Sequence, residues 1–363
     1  MKNQKLAGAA CAILLVALSA PSAFAQNASS ASILFTRTNM RPIDNTSNTV
    51  LYRVSPSGGT AVPMTPSTIH VDYRDGSWSP GGISLVYEKA PQATFGQTQL
   101  FVVDRQGGLA RQITTGTGLH TQPSWGPGAA ITFVTMRNGD ACLGAVRADG
   151  ANQRILFCPP QRSDLRTPGS MSTPQWTADG NHVLIEASAW GKGLESDWYS
   201  RVWKVNISTG AAEKITEQAF GGEQHLTIAP DGRHGFYPEA RTLIDFQTGT
   251  RTTIPVEGQR ALYSKDGTRI AFVQSVRGSD PTAGLAYGAI FIMGADGSNI
   301  HPAITVPDPD ALYAIADWSK DSSKLLVIKL ADLHKLQIVN LATGTATNVV
   351  ENGVADKGAW YQP

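Results

Sequence analysis

The sequence has few cysteines, no excess of charge of either sign and only one long hydrophobic run. Lys and Arg total 30 against 29 Asp and Glu, which leaves no basic field for nucleic acid and no acidic tail. The single run, LAGAACAILLVALSA, lies near the N-terminus, and no later stretch has the length of a membrane helix. We therefore expect a monomer whose partners are proteins, peptides or carbohydrates, with no nucleic acid and no membrane span.

The N-terminal run has the order of a secretory signal peptide. The basic stretch MKNQK precedes the apolar segment, and Ala23-Phe24-Ala25 forms a small-residue cleavage motif. We interpret residues 1–25 as the signal peptide, cleaved near Ala25, residues 26–30 as a short N-terminal segment and residues 31–363 as one domain. Cys11 lies inside the apolar run and belongs to the signal peptide. The mature protein is expected to be periplasmic or secreted.

Two cysteines remain after this cleavage, Cys142 and Cys158, and they flank the turn RADGANQR. Both lie at the same distance from Gly150, so a hairpin centred on that turn places them opposite each other on adjacent antiparallel strands. An oxidising compartment favours a disulfide between them. Two buried free thiols are the alternative.

Glycine and proline are abundant, at 36 and 21 residues, and they mark an internal repeat. A Trp, a short turn and a β-branched run recur as GSWSPGGISLVYE, PSWGPGAAITFVT, PQWTADGNHVLIE and ADWSKDSSKLLVI, with weaker copies at Ile228 and Tyr263. A second signature recurs seven times and consists of a strand, a glycine turn and a short polar strand. Its turns lie at Gly58, Gly107, Gly150, Gly210, Gly249, Gly297 and Gly344. Each unit predicts four strands, and such units repeated around an axis are typical of β-propeller blades.

The two ends of the chain carry incomplete units. The strand SILFTRT from Ser32 has no repeat strand before it, and GAWYQP from Gly358 has none after it. Joining the two completes one unit and removes a free sheet edge. The sequence therefore predicts an all-β fold, a seven-bladed β-propeller closed by pairing of the N- and C-terminal strands. Six blades are the alternative.

These units resemble the propeller repeats of the TolB family, which carry W-S-P-D-G-x-x-I-A-F, a second strand with D-x-x-G and a short L-T strand. The resemblance covers nearly all of the mature chain. It implies a periplasmic propeller, but TolB proteins have an α/β domain before six blades, whereas repeats here begin soon after the predicted cleavage site. A stand-alone TolB-like propeller is therefore expected. Related propellers precede hydrolase domains in prolyl oligopeptidase-type peptidases, and without room for such a domain or a G-x-S-x-G elbow we expect no peptidase activity.

Long connections collect on one face of the predicted ring. They include residues 37–49, 89–98, 188–201 and 275–288, whereas the turns of the opposite face are short. Long loops on a rigid scaffold are typical of binding sites, with neutral drift as the alternative. Trp190, Trp198 and Tyr199 fall in one of these connections, either as exposed anchors for a ligand or as a satellite core.

Polar residues recur three positions before the Trp-type residue of each unit, where the innermost strand enters the channel. They are Asp75, Gln122, Thr173, His225, Arg260 and Lys357, with Ile315 at the seventh position. Such a ring can receive a peptide terminus or an acidic group, with Arg260 and Lys357 as its cationic side. Solvated channel walls are the alternative.

The predicted function is a non-enzymatic scaffold that binds a protein or peptide of the cell envelope, with no catalytic residue and no cofactor. The alternative is a metal-dependent polysaccharide lyase, because oligogalacturonate lyases are seven-bladed propellers that hold a divalent metal with His and Gln side chains. The candidate ligands here are His120, Gln122, Gln224 and His225. None of them has the spacing of a linear metal motif.

Overall fold

The computed structural model describes residues 31–41, 46–137, 139–166, 169–192, 198–220, 225–275, 288–305, 312–330 and 334–361. Within these ranges the chain is built of antiparallel β-strands, with one 3-10 helix at Gln92–Gln97 and no α-helix. The predicted all-β class is therefore confirmed. No helix of the described part is long and apolar enough to cross a membrane.

The first three sheets contain four strands each, and all neighbouring strands are antiparallel. The first sheet joins the two ends of the chain, in the order β29, β1, β2, β3, with bounds β29 (Val354–Tyr361), β1 (Ser32–Arg41), β2 (Thr46–Val54) and β3 (Val62–Pro63). The second consists of β4 (Val71–Trp78), β5 (Ser84–Pro91), β6 (Gln99–Asp104) and β7 (Arg111–Gln112). The third consists of β8 (His120–Trp125), β9 (Ala130–Arg137), β10 (Asp140–Arg147) and β11 (Arg154–Phe157).

The fourth sheet has five strands, β12 (Ser170–Met171), β13 (Gln175–Trp176), β14 (His182–Trp190), β15 (Trp198–Asn206) and β16 (Ala212–Phe220). The fifth consists of β17 (Thr227–Ile228), β18 (His234–Tyr237), β19 (Thr242–Asp245) and β20 (Arg251–Thr253). The sixth contains β21 (Gln259–Tyr263), β22 (Arg269–Ser275), β23 (Gly288–Gly294), β24 (His301–Pro302), β25 (Tyr313–Trp318), β26 (Lys324–Lys329), β27 (Lys335–Asn340) and β28 (Thr345–Val350). Within the described ranges, its two halves are paired at one position, Gly288 with Tyr313.

First strands of successive sheets lie next to one another. β4 packs against β8, β17 against β21, β21 against β25, and β25 against β29, which also contacts β4. The core lies between the sheets, as where Leu143 of β10 packs with Val183 and Ile185 of β14. Hydrogen bonds thus hold each sheet together, whereas apolar burial holds one sheet to the next.

Two of the repeated tryptophans bind the backbone of the preceding unit. The indole Nε1 of Trp318 donates to the carbonyl of Leu262 at 3.0 Å, and that of Trp176 donates to the carbonyl of Ser124 at 3.2 Å. A buried indole N–H favours such an acceptor. At these two positions the bond distinguishes Trp from another large apolar residue.

The C-terminal strand β29 pairs with β1 in the predicted antiparallel arrangement. Ile33 lies opposite Trp360, whose side chain is buried in a cluster with Phe35 and Leu326. The backbone N–H of Trp360 donates to Asp317 at 2.8 Å. β29 therefore completes the first sheet and also binds the sheet that precedes it.

Several connections expected to be long loops are extended hairpins instead. β1 and β2 remain paired as far as Arg41 and Thr46, and β14 and β15 as far as Trp190 and Trp198. The sequence suggested loops because these segments lack the regular alternation of apolar and polar residues that marks a strand. Cross-strand hydrogen bonds do not require this alternation. The predicted connection 275–288 lies almost wholly outside the described residues.

Candidate functional site

A cavity of about 410 Å³ lies where the first strands of the sheets meet. The structure brings four of the predicted ring positions to its wall, Asp75 in β4, Gln122 in β8, Thr173 in the β12–β13 connection and Ile315 in β25. Most of the remaining wall is apolar and includes Leu34, Phe35, Leu51, Leu262, Ala316 and Ala359. The cavity is thus an apolar channel with a polar strip across three neighbouring sheets.

The other predicted ring positions lie elsewhere or are not described. Neither Arg260 nor His225 is among the described residues that line the cavity, and both are exposed. The imidazole Nδ1 of His225 lies 2.8 Å from a carboxylate oxygen of Glu239. Lys357 belongs to β29, but its side chain falls outside the described part. Arg260 therefore does not form the cationic side of the channel that the sequence predicted.

The first strands bulge at the same point in three sheets. Asp75, Gln122 and Arg260 have φ values of 51°, 52° and 45°, and each lies at a register shift with the next strand. A bulge adds one residue on the strand and bends it, and a left-handed conformation costs such a residue roughly 1–2 kcal/mol. The repeated strain places Asp75 and Gln122 on the cavity wall.

Glu88 of β5 lies directly behind this polar strip. Its side chain is 1% exposed, and it shares a hydrogen bond with the carboxyl of Asp75. It also accepts from the backbone N–H of Gln122 at 2.5 Å and from Nε of Arg74 at 3.3 Å. Burial, together with the charge of Asp75, raises the pKa of the Glu88 carboxyl to about 8. The Glu88 carboxyl therefore keeps its proton at neutral pH and can donate it to Asp75 in their shared hydrogen bond.

Glu186 of β14 occupies the same position in the fourth sheet, at the same distance from its repeat tryptophan as Glu88. It is also buried, accepts from the hydroxyl of Ser200, and is hydrogen-bonded by the backbone of Leu226 in the next unit. Ser200 is in turn 3.0 Å from the hydroxyl of Tyr237. Burial raises the pKa of the Glu186 carboxyl to about 7. In two units, a buried glutamate with a raised pKa thus accepts a backbone hydrogen bond from the next unit.

Sequence reasoning missed both acids. The signal was a glutamate inside an otherwise apolar second strand, in SLVYEKA and HVLIEAS, at equivalent positions of two repeats. A charged residue in a buried strand predicts either a paired or a neutral side chain. The Trp and glycine positions of the repeat do not reveal this buried glutamate.

Stability is expected to decrease as pH rises from about 5 to about 8. The folded-state pKa of Glu88 is raised, so this carboxyl keeps its proton in the folded protein after the unfolded chain has lost it near its ordinary pKa of 4.5. The stabilisation is complete below that value and is lost as pH approaches about 8, on the order of a few kcal/mol. The measurement is the free energy of unfolding in urea at pH 5, 6.5 and 8.

The matched variants are Glu88→Gln and Glu213→Gln. Glutamine reproduces the shape of the protonated acid and cannot ionise, so Glu88→Gln should reduce the slope and leave only the smaller part that Glu186 contributes. Glu213 is exposed in β16, and its replacement should leave the slope unchanged. Equal slopes in the wild type and Glu88→Gln would contradict the shared-proton interpretation.

The residues considered as metal ligands are not brought together. His120 is buried, with its ring edge-on to Phe133 at a centroid distance of 5.3 Å, and burial lowers the pKa of its imidazole. His225 is exposed beside Glu239, and Gln224 lies outside the described residues. Across the described part of the chain, no group of three or more His, Cys, Asp or Glu side chains is arranged to hold a metal ion.

The three aromatic residues lie in strands rather than in a loop. Trp190 ends β14 and Trp198 begins β15, and their rings meet edge to face at 5.1 Å. Trp198 is buried, and the guanidinium of Arg162 lies 5.0 Å from the ring centre of Tyr199. Of the two alternatives, this arrangement corresponds to the satellite core.

Comparisons with known proteins identify peptidases among the relatives. The chain is 29% identical over 130 residues to dipeptidyl-peptidase 5 of Porphyromonas endodontalis, a match that covers 34% of the chain and 18% of that protein. It is 23% identical over 201 residues to the uncharacterized peptidase YuxL of Bacillus subtilis, covering 46% of the chain and 29% of YuxL. The matches thus span less than a third of either relative. No family model matches the sequence.

Solved structures support the β-propeller fold. Puromycin hydrolase has a TM-score of 0.64 at 14% identity, covering 89% of the chain and 52% of that protein. The β-propeller domain of the Trilobed protease from Pyrococcus furiosus has a TM-score of 0.60 at 12% identity, covering 88% and 92%. TolB from Acinetobacter baumannii has a TM-score of 0.55 at 14% identity, covering 92% and 67%. The predicted TolB-like propeller fold is confirmed at this level.

The peptidase relatives correct the predicted function. Relatives named as peptidases contradict three predictions: the non-enzymatic scaffold, the metal-dependent lyase and the absence of enzymatic activity. These predictions are wrong. An oligogalacturonate lyase with manganese does have a similar structure, with a TM-score of 0.59 over 89% of the chain and 86% of the lyase, but at 15% identity this shows the fold alone. The error arose because a propeller repeat specifies a scaffold and not a chemistry.

Proposed function

We propose that the protein acts in peptide hydrolysis as a peptidase-type propeller that binds an extended peptide segment in its axial cavity. The observation that carries this proposal is the cavity of about 410 Å³ with one polar strip in an apolar wall. Its volume falls within the roughly 300–1,000 Å³ of ligand pockets, and its mixture of apolar wall and few polar groups is typical of them. The peptidase relatives support the choice of a peptide as the ligand.

The wall suits the alternating chemistry of a peptide. Leu262 and Ile315 offer apolar surface to a side chain, while Gln122 and Thr173 present an amide and a hydroxyl within reach of backbone N–H and C=O groups. Asp75 is the acidic group on the wall, and with its buried partner it favours a cation such as a free amino terminus. A short peptide of the cell envelope with an unblocked N-terminus is therefore the preferred substrate.

Filling the cavity tests this proposal. Thr173→Trp places a large ring at the wall, and we expect it to lower kcat/KM for cleavage of short unblocked peptides by at least about tenfold, mainly through KM. Thr117→Trp is the matched control, because Thr117 is an exposed threonine between β7 and β8 and is not among the cavity-lining residues. The assay follows peptide fragments by mass spectrometry and peptide binding by fluorescence anisotropy.

Each outcome of this assay is informative. Loss of cleavage or binding in Thr173→Trp alone supports the channel as the peptide site. Equal activity in both variants places the peptide elsewhere. If the wild-type protein neither cleaves nor binds the peptides, the peptidase assignment is rejected.

The blade count is part of the same proposal. We infer seven blades, because the sixth sheet consists of two four-stranded halves that, among the described residues, share one strand-pairing contact, between Gly288 and Tyr313. Each half repeats the strand order of the other sheets. A ring of seven with β29 paired to β1 also agrees with the seven glycine turns of the sequence.

We further infer that the protein is exported, with residues 1–25 as its signal peptide. A disulfide between Cys142 and Cys158, on strand β10 and just after β11, supports this inference because such bonds persist in oxidising compartments. Non-reducing mass spectrometry of protein taken from its native compartment should give one linked peptide pair and an N-terminus at Gln26. Free thiols, or an intact Met1, would count against export.

A further inference from the structure

A second, smaller cleft opens between the β11–β12 connection and strands β10, β14 and β15. Its volume is about 30 Å³, and three arginines, Arg162, Arg166 and Arg201, are among the residues that line it. One water molecule needs roughly 10–15 Å³ of such volume. The cleft therefore has room for about two oxygen atoms. It shares no lining residue with the axial cavity.

Arg201 is the buried member of this group. Its side chain is only 8% exposed, and its Nη1 donates to the carbonyl of Pro160 at 2.9 Å. Nε is buried without a partner, and no acceptor for Nε or Nη2 is found among the described residues. A guanidinium taken out of water is unfavourable unless an anion or several acceptors compensate for the lost hydration. The unpartnered edge of Arg201 thus points to a missing acceptor.

The neighbouring carboxylates are already bound to other cations. Glu217 lies opposite Arg201 in the β15–β16 register, but its oxygens accept from Arg162 and from Lys214. Asp164 also accepts from Arg162. The obvious internal partners of Arg201 are therefore engaged.

Two further polar groups of the cleft also have partners. Asp140 accepts from the side-chain amide of Gln161, and Nε of Arg166 donates to the carbonyl of Gly191 at 3.1 Å. Burial and the like charge of Arg162 lower the pKa of the Arg201 guanidinium. An anion in the cleft would offset both effects.

We propose that this cleft is a carboxylate-binding site in which the anion accepts two parallel hydrogen bonds from Nε and Nη2 of Arg201. Side-on pairing uses the two donors that the protein leaves without an acceptor, while the bond from Nη1 to Pro160 fixes the plane of the guanidinium. The volume admits the carboxylate group and leaves the rest of its molecule at the surface. This site is independent of the peptide bound in the channel.

Isothermal titration of the mature protein with sodium acetate, against sodium chloride at equal ionic strength, tests the site. We expect saturable acetate binding in the millimolar range and at least about tenfold weaker binding of chloride. Arg201→Lys keeps the charge but loses the side-on pair, so acetate binding should weaken at least about tenfold and the preference over chloride should disappear. Arg154→Lys is the control, because Arg154 is exposed on β11 and binds the backbone of Ile207.

A second titration distinguishes two sources of the carboxylate, a peptide C-terminus and a small free acid. N-acetyl-alanyl-alanine is compared with its C-terminal amide. Tighter binding of the peptide acid than of acetate identifies a peptide C-terminus as the ligand, and equal binding identifies a small free carboxylate. Three results overturn the proposal: no preference of the wild-type protein for acetate over chloride, unchanged acetate binding in Arg201→Lys, or equal binding of the acid and the amide. The acetate and chloride comparison needs no variant, so it holds even where a substitution impairs folding.

Discussion

Deleting residues 358–363 is expected to lower the free energy of unfolding by at least about 3–5 kcal/mol, the range for removal of one large buried aromatic side chain. The deletion removes Trp360, which packs with Ile33 and Phe35, and Tyr361, whose hydroxyl donates to the carbonyl of Gly81 at 2.9 Å. It also removes the pairing partners of residues 32–35 on the outer edge of β1. The measurement is urea unfolding of the mature protein followed by tryptophan fluorescence.

The control removes only residues 362–363 and leaves all of β29 in place. We expect its unfolding midpoint to match that of the full mature chain. If the longer deletion also unfolds at the wild-type midpoint, β29 does not close the first sheet in solution. Aggregation of the longer deletion through the exposed edge would agree with closure.

Replacing Trp318 with alanine is expected to cost about 3–5 kcal/mol of folding free energy. Trp318 is fully buried between the two halves of the sixth sheet, in a cluster with Ala271 and Leu325. The substitution opens a large cavity and removes the donor to the carbonyl of Leu262. Urea denaturation gives the change, with circular dichroism of the native state as the check on folding.

Trp125→Ala is the matched comparison. Trp125 is only partly buried, and its indole donates to Gly128 within its own turn at 3.3 Å, not to a neighbouring sheet. We expect it to cost less than half as much as Trp318→Ala. Similar losses at the two sites would show that the bond between the two halves of the sixth sheet contributes little.

The sequence was sufficient for the architecture because each repeat carries its own turn and strand signals. Trp, the glycine turns and the incomplete terminal units predicted four-stranded sheets and the pairing of β1 with β29. The hairpins of β1 with β2 and of β14 with β15 were read as loops. The outer part of the first hairpin is polar, as in the Asn39 and Asn48 pair, and that of the second mixes Ala, Ser and aromatic residues, so no regular alternation marks the strands.

The candidate site was only partly predictable. Repeat register placed Asp75, Gln122 and Thr173 on one wall, because equivalent positions of a repeat face the same axis. The repeat register does not identify the buried side chain that lies behind these wall residues, so Glu88 was missed. The carboxylate cleft depends on what surrounds Arg201 in three dimensions, including residues far apart in the chain.

The pairing of β29 with β1 also constrains how the molecule folds. Contacts between opposite ends of a chain require closure of a very long loop, and folds dominated by such contacts form slowly. The other sheets consist largely of sequential hairpins and can form as soon as their own residues are available. The first sheet has to wait for the last strand to be synthesised, so an incomplete chain keeps an open ring. In the export proposed above, this late step would delay completion of the native state until the whole chain has crossed the membrane.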